Sequence, residues 1–400
     1  MKPSLAPLLG AVFWLLFGVA LLAVGNGLFS TFFSLRMRIE GFSLDAIGVV
    51  MTGFYVGLAL GTQFCDRFVE ALGRVRAYAV FAAVITAAAL GAALHVSPAS
   101  WFMLRILLGF GFAGLYVVVE SWLNALANDA SRGQLLSIYF VIHYVAASGG
   151  QLLLGLRDPA ASDLFIIVAL FYCLSLVPVA CHSGEAASAR RPPGLVIGAL
   201  CRLAPAGVAC CVASGLMTSA FYSLAPVFAD ERHLSVEDIS YFMSAAVFGG
   251  VVFQWPIGSL SDRIDRRLVS IAIAVFATLA SLALIADLQL SRGSLIAIAF
   301  LFGGFTLAIY PIGVAAANDR LAPEEMVKAS GALILAASLG SMLGPVSAAA
   351  LMHRCGPGGL FVFTSAVAAG LAAFTLLRLI KRPGKSARVL HRPGEQVDLQ

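Results

Sequence analysis

Three ionisable side chains interrupt stretches of the chain that are otherwise apolar: Arg105, Glu120 and His143. A charge in a low-dielectric setting is costly, so it is kept where it binds, pairs or moves a proton. Histidine titrates near neutral pH, which suits His143 to coupling the movement of a solute to protons. Arg105 and Glu120 fall in one apolar run, about 22 Å apart at the helical rise, and cannot pair directly. Each residue also has a plainer reading. Arg105 can snorkel to a headgroup layer, Glu120 can pair with Arg74, Arg76 or Arg132, and His143 can hydrogen-bond a neighbouring helix. A second set is uncharged: Asn26, Tyr116, Tyr144, Thr218, Tyr222 and Tyr310. Such groups line a polar pocket, or bond one helix to the next.

Bond-making chemistry finds no support. There is no Ser/His/Asp spacing, no H-E-x-x-H, no G-x-x-x-x-G-K-[ST], no Cys/His metal pattern and no carboxylate pair at helical spacing within an apolar span. We therefore expect no enzyme, cofactor or metal. Of seven cysteines only Cys355 falls in an expected outer loop, so no disulfide is expected.

The elements that must hold these groups are membrane helices. The chain is 60% hydrophobic and 12% charged, against about 25% charged in a soluble domain. That excludes a soluble enzyme, a nucleic-acid binder and a disordered chain. Apolar runs at 8–35, 45–64, 77–94, 101–124, 134–155, 163–180, 204–229, 237–256, 268–288, 294–317, 330–352 and 360–380 predict twelve spans. The run after Lys2 is too long for a signal-peptide core and reads as the first span. Most lysines and arginines fall in segments on the side of the termini, among them Arg74, Arg76, Arg190, Arg191, Arg266, Arg267 and Lys381. That bias predicts both termini in the cytoplasm and explains the net charge of +5 without nucleic acid.

The chain divides into 1–180, a linker 181–203 containing Arg190-Arg191-Pro192-Pro193, 204–380, and a tail 381–400. The two large parts overlay. Ser43-Leu44-Asp45-Ala46-Ile47 aligns with Ser235-Val236-Glu237-Asp238-Ile239, and Met51, Gly57 and Arg74 with Met243, Gly249 and Arg266. Asn26 then falls on Thr218. With a small slip, Phe112-Ala113-Gly114 falls on Phe302-Gly303-Gly304, and Ala127-Asn128-Asp129 on Ala317-Asn318-Asp319. Parallel repeats imply two bundles with a site between them near the bilayer midplane. The expected fold is all-α: twelve transmembrane helices in two pseudo-symmetric six-helix bundles.

Gly258-Ser259-Leu260-Ser261-Asp262-Arg263-Ile264-Asp265-Arg266-Arg267 resembles the G-x-L-x-D-R-x-G-R-R signature of the major facilitator superfamily, with Asp265 in place of its glycine. The first half carries a degraded copy with Asp66, Glu70, Gly73 and Arg74. Arg105 to Gly111 resembles the superfamily's R-x-x-x-G-x-G pattern. Gly109 to Gly114 also satisfies G-x-G-x-x-G, but inside an apolar helix small residues for close packing explain it better than a dinucleotide. Val117 to Ser121, Gln254 to Gly258, Tyr310-Pro311 and Leu343-Gly344-Pro345 look most like the YcaD-like bacterial branch.

The resemblance implies a rocker-switch transporter of the inner membrane. It would carry a small organic solute, with proton coupling and export favoured, and with lipid and protons as its other partners. We expect a monomer. An uncoupled facilitator, or a receptor or scaffold that kept the fold, stays open. Asp66, Glu70, Arg74, Gly258, Asp262, Arg263, Arg266 and Arg267 would form a cytoplasmic latch, with Gly258 allowing close helix approach and Asp262 meeting an arginine or a helix N-terminus. The plainer reading is that both loops only fix topology through positive charge.

Overall fold

The computed structural model describes residues 5–126, 132–180, 197–286, 291–321 and 323–381. In chain order these form α1 (Leu5–Ile39), α2 (Leu44–Leu72), α3 (Arg74–Leu94), α4 (Pro98–Leu126), α5 (Arg132–Leu152), a 3-10 turn (Leu153–Leu156), α6 (Asp163–Leu174), α7 (Leu176–Ala180), α8 (Ile197–Leu203), α9 (Pro205–Glu231), α10 (Val236–Arg263), α11 (Arg266–Ile285), α12 (Arg292–Asn318), α13 (Pro323–Cys355) and α14 (Gly359–Lys381). Twelve spans are long and apolar enough to cross a bilayer, α6 and α7 together making one. Their outward faces carry large apolar side chains, among them Phe13, Trp14, Phe68 and Leu343, and Trp255 is 81% exposed. A belt of this kind is stable in lipid and not in water.

Local signals set the helix ends. Ser43 and Ser235 cap α2 and α10 at matching positions, accepting from the amides of Ala46 and Asp238. Helices outlast the apolar runs that reveal them: α2 continues to Leu72 and α10 to Arg263, so Asp66, Glu70 and Asp262 ride on helices. The backbone keeps its own hydrogen bonds where the side chains turn polar. The sixth span breaks at Ser175, as Pro178 cannot donate back into the preceding turn. Part of the expected linker 181–203 is helical: α8 buries Leu200 against α9 and α13. Cys181, the Arg190–Pro193 stretch, Asn128-Asp129 and the tail beyond Lys381 lie outside the described residues.

The packing repeats. α4 packs on α2 and α3, α1 on α5, and α3 on α6, while α12 packs on α10 and α11, α9 on α13, and α11 on α14. Glycines fix the register, because each admits a neighbouring backbone where a Cβ would collide. Gly57 faces the Ile106 carbonyl and Gly109 that of Phe54, just as Gly249 faces Phe300 and Gly303 faces Ala246. Likewise Gly27 faces Ala147 and Gly150 faces Val24, as Gly215 faces Ala337 and Gly340 faces Val212.

Two of the sequence alignments are therefore corrected. Gly109, not Ala113, corresponds to Gly303, one helical turn from the expected match. Ser214, not Thr218, corresponds to Asn26. Small residues are frequent enough in these helices that a one-turn slip costs little in sequence similarity. On the structural register Tyr116 corresponds to Tyr310, and Asn124 to Asn318.

Candidate functional site

The two bundles meet at the end remote from the termini. An added Cβ on Gly48 of α2 would lie 2.7 Å from Ala349 Cβ and 2.9 Å from the Pro345 carbonyl of α13. Thr52 Oγ1 donates to the Met342 carbonyl at 3.1 Å. At the matching place on the other flank, Ser148 of α5 and Ser244 of α10 share a hydrogen bond of 2.9 Å. Polar contacts rim this seal: Arg38 pairs with Glu231 at 3.3 Å, and the His353 ring lies 3.3 Å from the Asp45 carboxylate. Towards the termini the halves part. Among the described residues α4 has no extensive packing against α12 or α13. A cavity of about 310 Å³ opens there, lined by Tyr310, Pro311, Val314, Ala315, Asn318, Ser330, Leu333 and Ile334.

Tyrosines occupy the level between seal and opening. Tyr222 of α9 lies within electrostatic range of Tyr144, Tyr55 and Tyr116, all from the other half. Tyr310 of α12 likewise feels Tyr144 and Glu120. His143 is half-buried against the Tyr116 ring, edge-on at 5.8 Å, with Tyr139 at 6.3 Å. Glu120 is one turn along α4 from Tyr116 and is also half-buried. Glu120, Tyr116, His143, Tyr144, Tyr222 and Tyr310, which the sequence marks separately as intramembrane charges and as cavity candidates, lie in one constellation spanning both bundles. Tyr55 and Tyr139 were missed, since a tyrosine in an apolar run carries no charge to mark it.

Asn26 and Thr218 fit less well. Thr218 Oγ1 donates to its own helix at Ser214 O, 2.7 Å. It lines a small, mostly apolar pocket with Tyr222, Phe302 and Thr306 inside the second bundle. Asn26 is half-buried between Gly25, which meets α6, and Gly27, which meets α5.

Arg105 does not snorkel. It is 4% exposed, and its guanidinium lies 4.9, 5.3 and 5.9 Å from the ring centroids of Phe54, Phe33 and Phe29. Tyr55 and Tyr172 are within electrostatic range. The surrounding glycines act in packing: Gly109 against α2, and Gly111 and Gly114 against Ile85 and Phe81 of α3.

At the end near the termini the expected latch is disengaged. Gly258 has no atom within 4 Å of an added Cβ, so it allows no close approach in this state. Asp262 is 70% exposed and meets Arg266 of its own bundle at 3.1 Å. Arg266 also binds Asp319 at 3.0 Å and the Ala315 carbonyl at 2.8 Å, tying the α10–α11 turn to α12. Asp265 caps α11 through the Arg267 amide at 2.9 Å and pairs with the Arg267 side chain at 2.8 Å. Those hydrogen bonds hold its carboxyl below the usual range. With φ −56° it needs no glycine, whereas its counterpart Gly73 has φ +76°. Arg74 and Arg267 are buried, Asp66 is half-buried, and Glu70 and Arg263 are exposed.

This arrangement has a known parent. A family model described as Major Facilitator Superfamily matches residues 15–202 and 207–399. The chain belongs to that superfamily. It is 29% identical over 377 residues to an uncharacterized MFS-type transporter of Yersinia pestis, covering 93% of this chain and 96% of the relative. It is 28% identical over 359 residues to the uncharacterized MFS-type transporter YcaD of Escherichia fergusonii, covering 89% and 92%. The fold is that of the nucleoside transporter NupG, with a TM-score of 0.78 at 13% identity, covering 91% of this chain and 98% of that one. The chain is thus a YcaD-like, multi-pass membrane transporter.

Proposed function

We propose that the protein is a proton-coupled secondary transporter of the bacterial inner membrane, moving a small organic solute by alternating access with both termini cytoplasmic. One observation carries this reading: tyrosines of both halves meet at one level, sealed on one side and approached by an opening on the other. With cytoplasmic termini, the state described is inward-open. The positive charge beside the near ends of the helices supports that orientation.

Coupling is assigned to Glu120 and His143. They flank Tyr116, stand at the level of the solute, and have no ionisable counterpart in the second half. On the structural register Glu120 corresponds to Val314, His143 to Leu333 and Tyr144 to Ile334. Opposite Glu120, His143 and Tyr144 the second bundle presents apolar side chains, while Tyr222 and Tyr310 add polar groups from its side, which suits an amphipathic molecule.

Proteoliposomes with an imposed pH gradient test the proposal. Accumulation from a metabolite panel should vanish when the gradient is collapsed, and should fall to equilibration in Glu120→Gln or His143→Ala. Uptake that only equilibrates in the wild type, and is unchanged in both variants, would leave an uncoupled facilitator.

A further inference from the structure

The strongest unexplained feature lies beneath the seal, where buried polar groups stand without hydrogen-bond partners. Arg105 Nε, the Tyr172 hydroxyl and the Ser223 hydroxyl are buried, and none has a hydrogen-bond partner among the described residues. All three side chains are at least nine-tenths buried. Tyr55 joins them: it lies within electrostatic range of Arg105, and its hydroxyl lies beside that of Ser223 without a bond of good geometry. The three phenylalanine rings satisfy the face of the guanidinium, but its Nε–H still calls for an acceptor.

The described ion pairs include no carboxylate for Arg105. Water could accept these hydrogen bonds, but it brings no negative charge, and a buried cation without a counter-charge is costly. A planar anion supplies both. Carboxylate geometry matches a guanidinium edge with two parallel hydrogen bonds, and leaves lone pairs for hydroxyl donors.

We propose that Arg105, Tyr172, Ser223 and Tyr55 form a binding site for an anionic group, the carboxylate of an organic acid. The proposal rests on the transporter reading and narrows its cargo to organic acids. Arg105, Tyr55 and Tyr172 belong to the first bundle and Ser223 to the second, so a bound carboxylate bridges the halves under the closed end. Tyr55 also lies within electrostatic range of Tyr116 and Tyr222, which connects this site to the central constellation.

The test is equilibrium binding of radiolabelled benzoate and acetate to the purified full-length protein in nanodiscs, with benzamide and chloride as competitors. We expect saturable carboxylate binding that benzamide does not displace. It should weaken at least tenfold in Arg105→Gln, be partly rescued in Arg105→Lys, and weaken several-fold to about tenfold in Tyr172→Phe and Ser223→Ala. The last two variants each remove only a hydroxyl, so they keep the test informative if Arg105→Gln does not fold. Equal affinity in all four variants, equal displacement by benzamide, or no saturable binding of either acid overturns the proposal. Tight chloride binding without carboxylate binding overturns the organic-acid assignment in favour of an inorganic anion. Binding needs no transport. Carboxylate binding without flux in proteoliposomes removes the transporter reading and leaves the site, whereas flux without carboxylate binding removes the site alone.

Discussion

Gly48 reports directly on whether the contact between α2 and α13 is a state-dependent seal. Replacing it with alanine places a methyl 2.7 Å from Ala349 Cβ, 2.9 Å from the Pro345 carbonyl and 3.3 Å from Val346 Cα. Carbon atoms at rest stand roughly 3.5–4.0 Å apart, so the helices must separate by close to 1 Å. Overpacking of this size costs about 1–3 kcal/mol. The halves can part here by adopting the opposite state, so that cost falls on the sealed conformation alone. The equilibrium then shifts about 5- to 150-fold away from it. Ser330 lines the opening on the other side, so Ser330→Cys in a background without other cysteines supplies the readout. Adding Gly48→Ala should slow its reaction with a water-soluble thiol reagent, by at most that factor, because the rate follows the population of the state open on that side. A cysteine at Thr52, inside the seal, should react faster. If a folded Gly48→Ala protein labels like its parent at both positions, this contact is permanent packing and the alternating-access reasoning fails.

The same logic gives the reverse outcome at Gly258, where an added Cβ meets nothing in this state: Gly258→Val should leave the Ser330→Cys labelling rate high or raise it, and a decrease would show that the glycine plays no part in closing the near end. Asp265→Ala should lower thermal stability by about 1 kcal/mol through the lost cap, with little added by the ion pair, since the carboxylate is 36% exposed. Because the folded carboxyl titrates below its usual value, that contribution is complete above about pH 4 and is lost as pH falls through the lowered folded value. The gap between wild type and variant should therefore close only in strongly acidic buffer, and a gap closing near neutrality would point to another group. Orientation has a direct check: an impermeant thiol reagent on intact cells should reach Cys355 and spare Cys201, and the opposite pattern would invert the topology.

The twelve spans and the duplication were legible in the sequence because both rest on hydrophobic runs longer than any competing signal. Most of the tyrosine constellation was legible too, since polar groups in apolar helices stand out. The exact register between halves was not. It is fixed by which glycine meets which carbonyl, and sequence similarity cannot distinguish glycines one turn apart. Arg105 shows the limit from another side: its charge was visible, but not its seclusion among Phe29, Phe33 and Phe54, which come from two other helices. Tyr172 and Ser223 sit in runs where serine and tyrosine ordinarily bond their own helix. Only tertiary packing shows that their hydroxyls are left without partners.

The corrected register also bears on how coupling could work. Glu120, His143 and Tyr144 face a second half whose equivalent positions are Val314, Leu333 and Ile334. On the proposed mechanism, closing the near end brings this apolar wall towards Glu120 and His143 and removes their water. A charge shut against hydrocarbon costs several kcal/mol, so closure is accessible to states in which these charges are neutralised by a proton, by each other or by a partner. Solute movement is thereby tied to proton occupancy without any proton crossing from one bundle to the other. At these three positions the second bundle contributes apolar side chains instead of groups that carry a proton. Val314→Thr tests this directly, because Val314 is half-buried on that wall and threonine keeps its branched shape while drawing water to it. Solute should still cross, but the accumulation reached at a fixed pH gradient should drop, with proton leak rising in the absence of solute. Unchanged accumulation in Val314→Thr would mean that closure does not depend on an apolar second half, and that the link between proton and solute lies elsewhere.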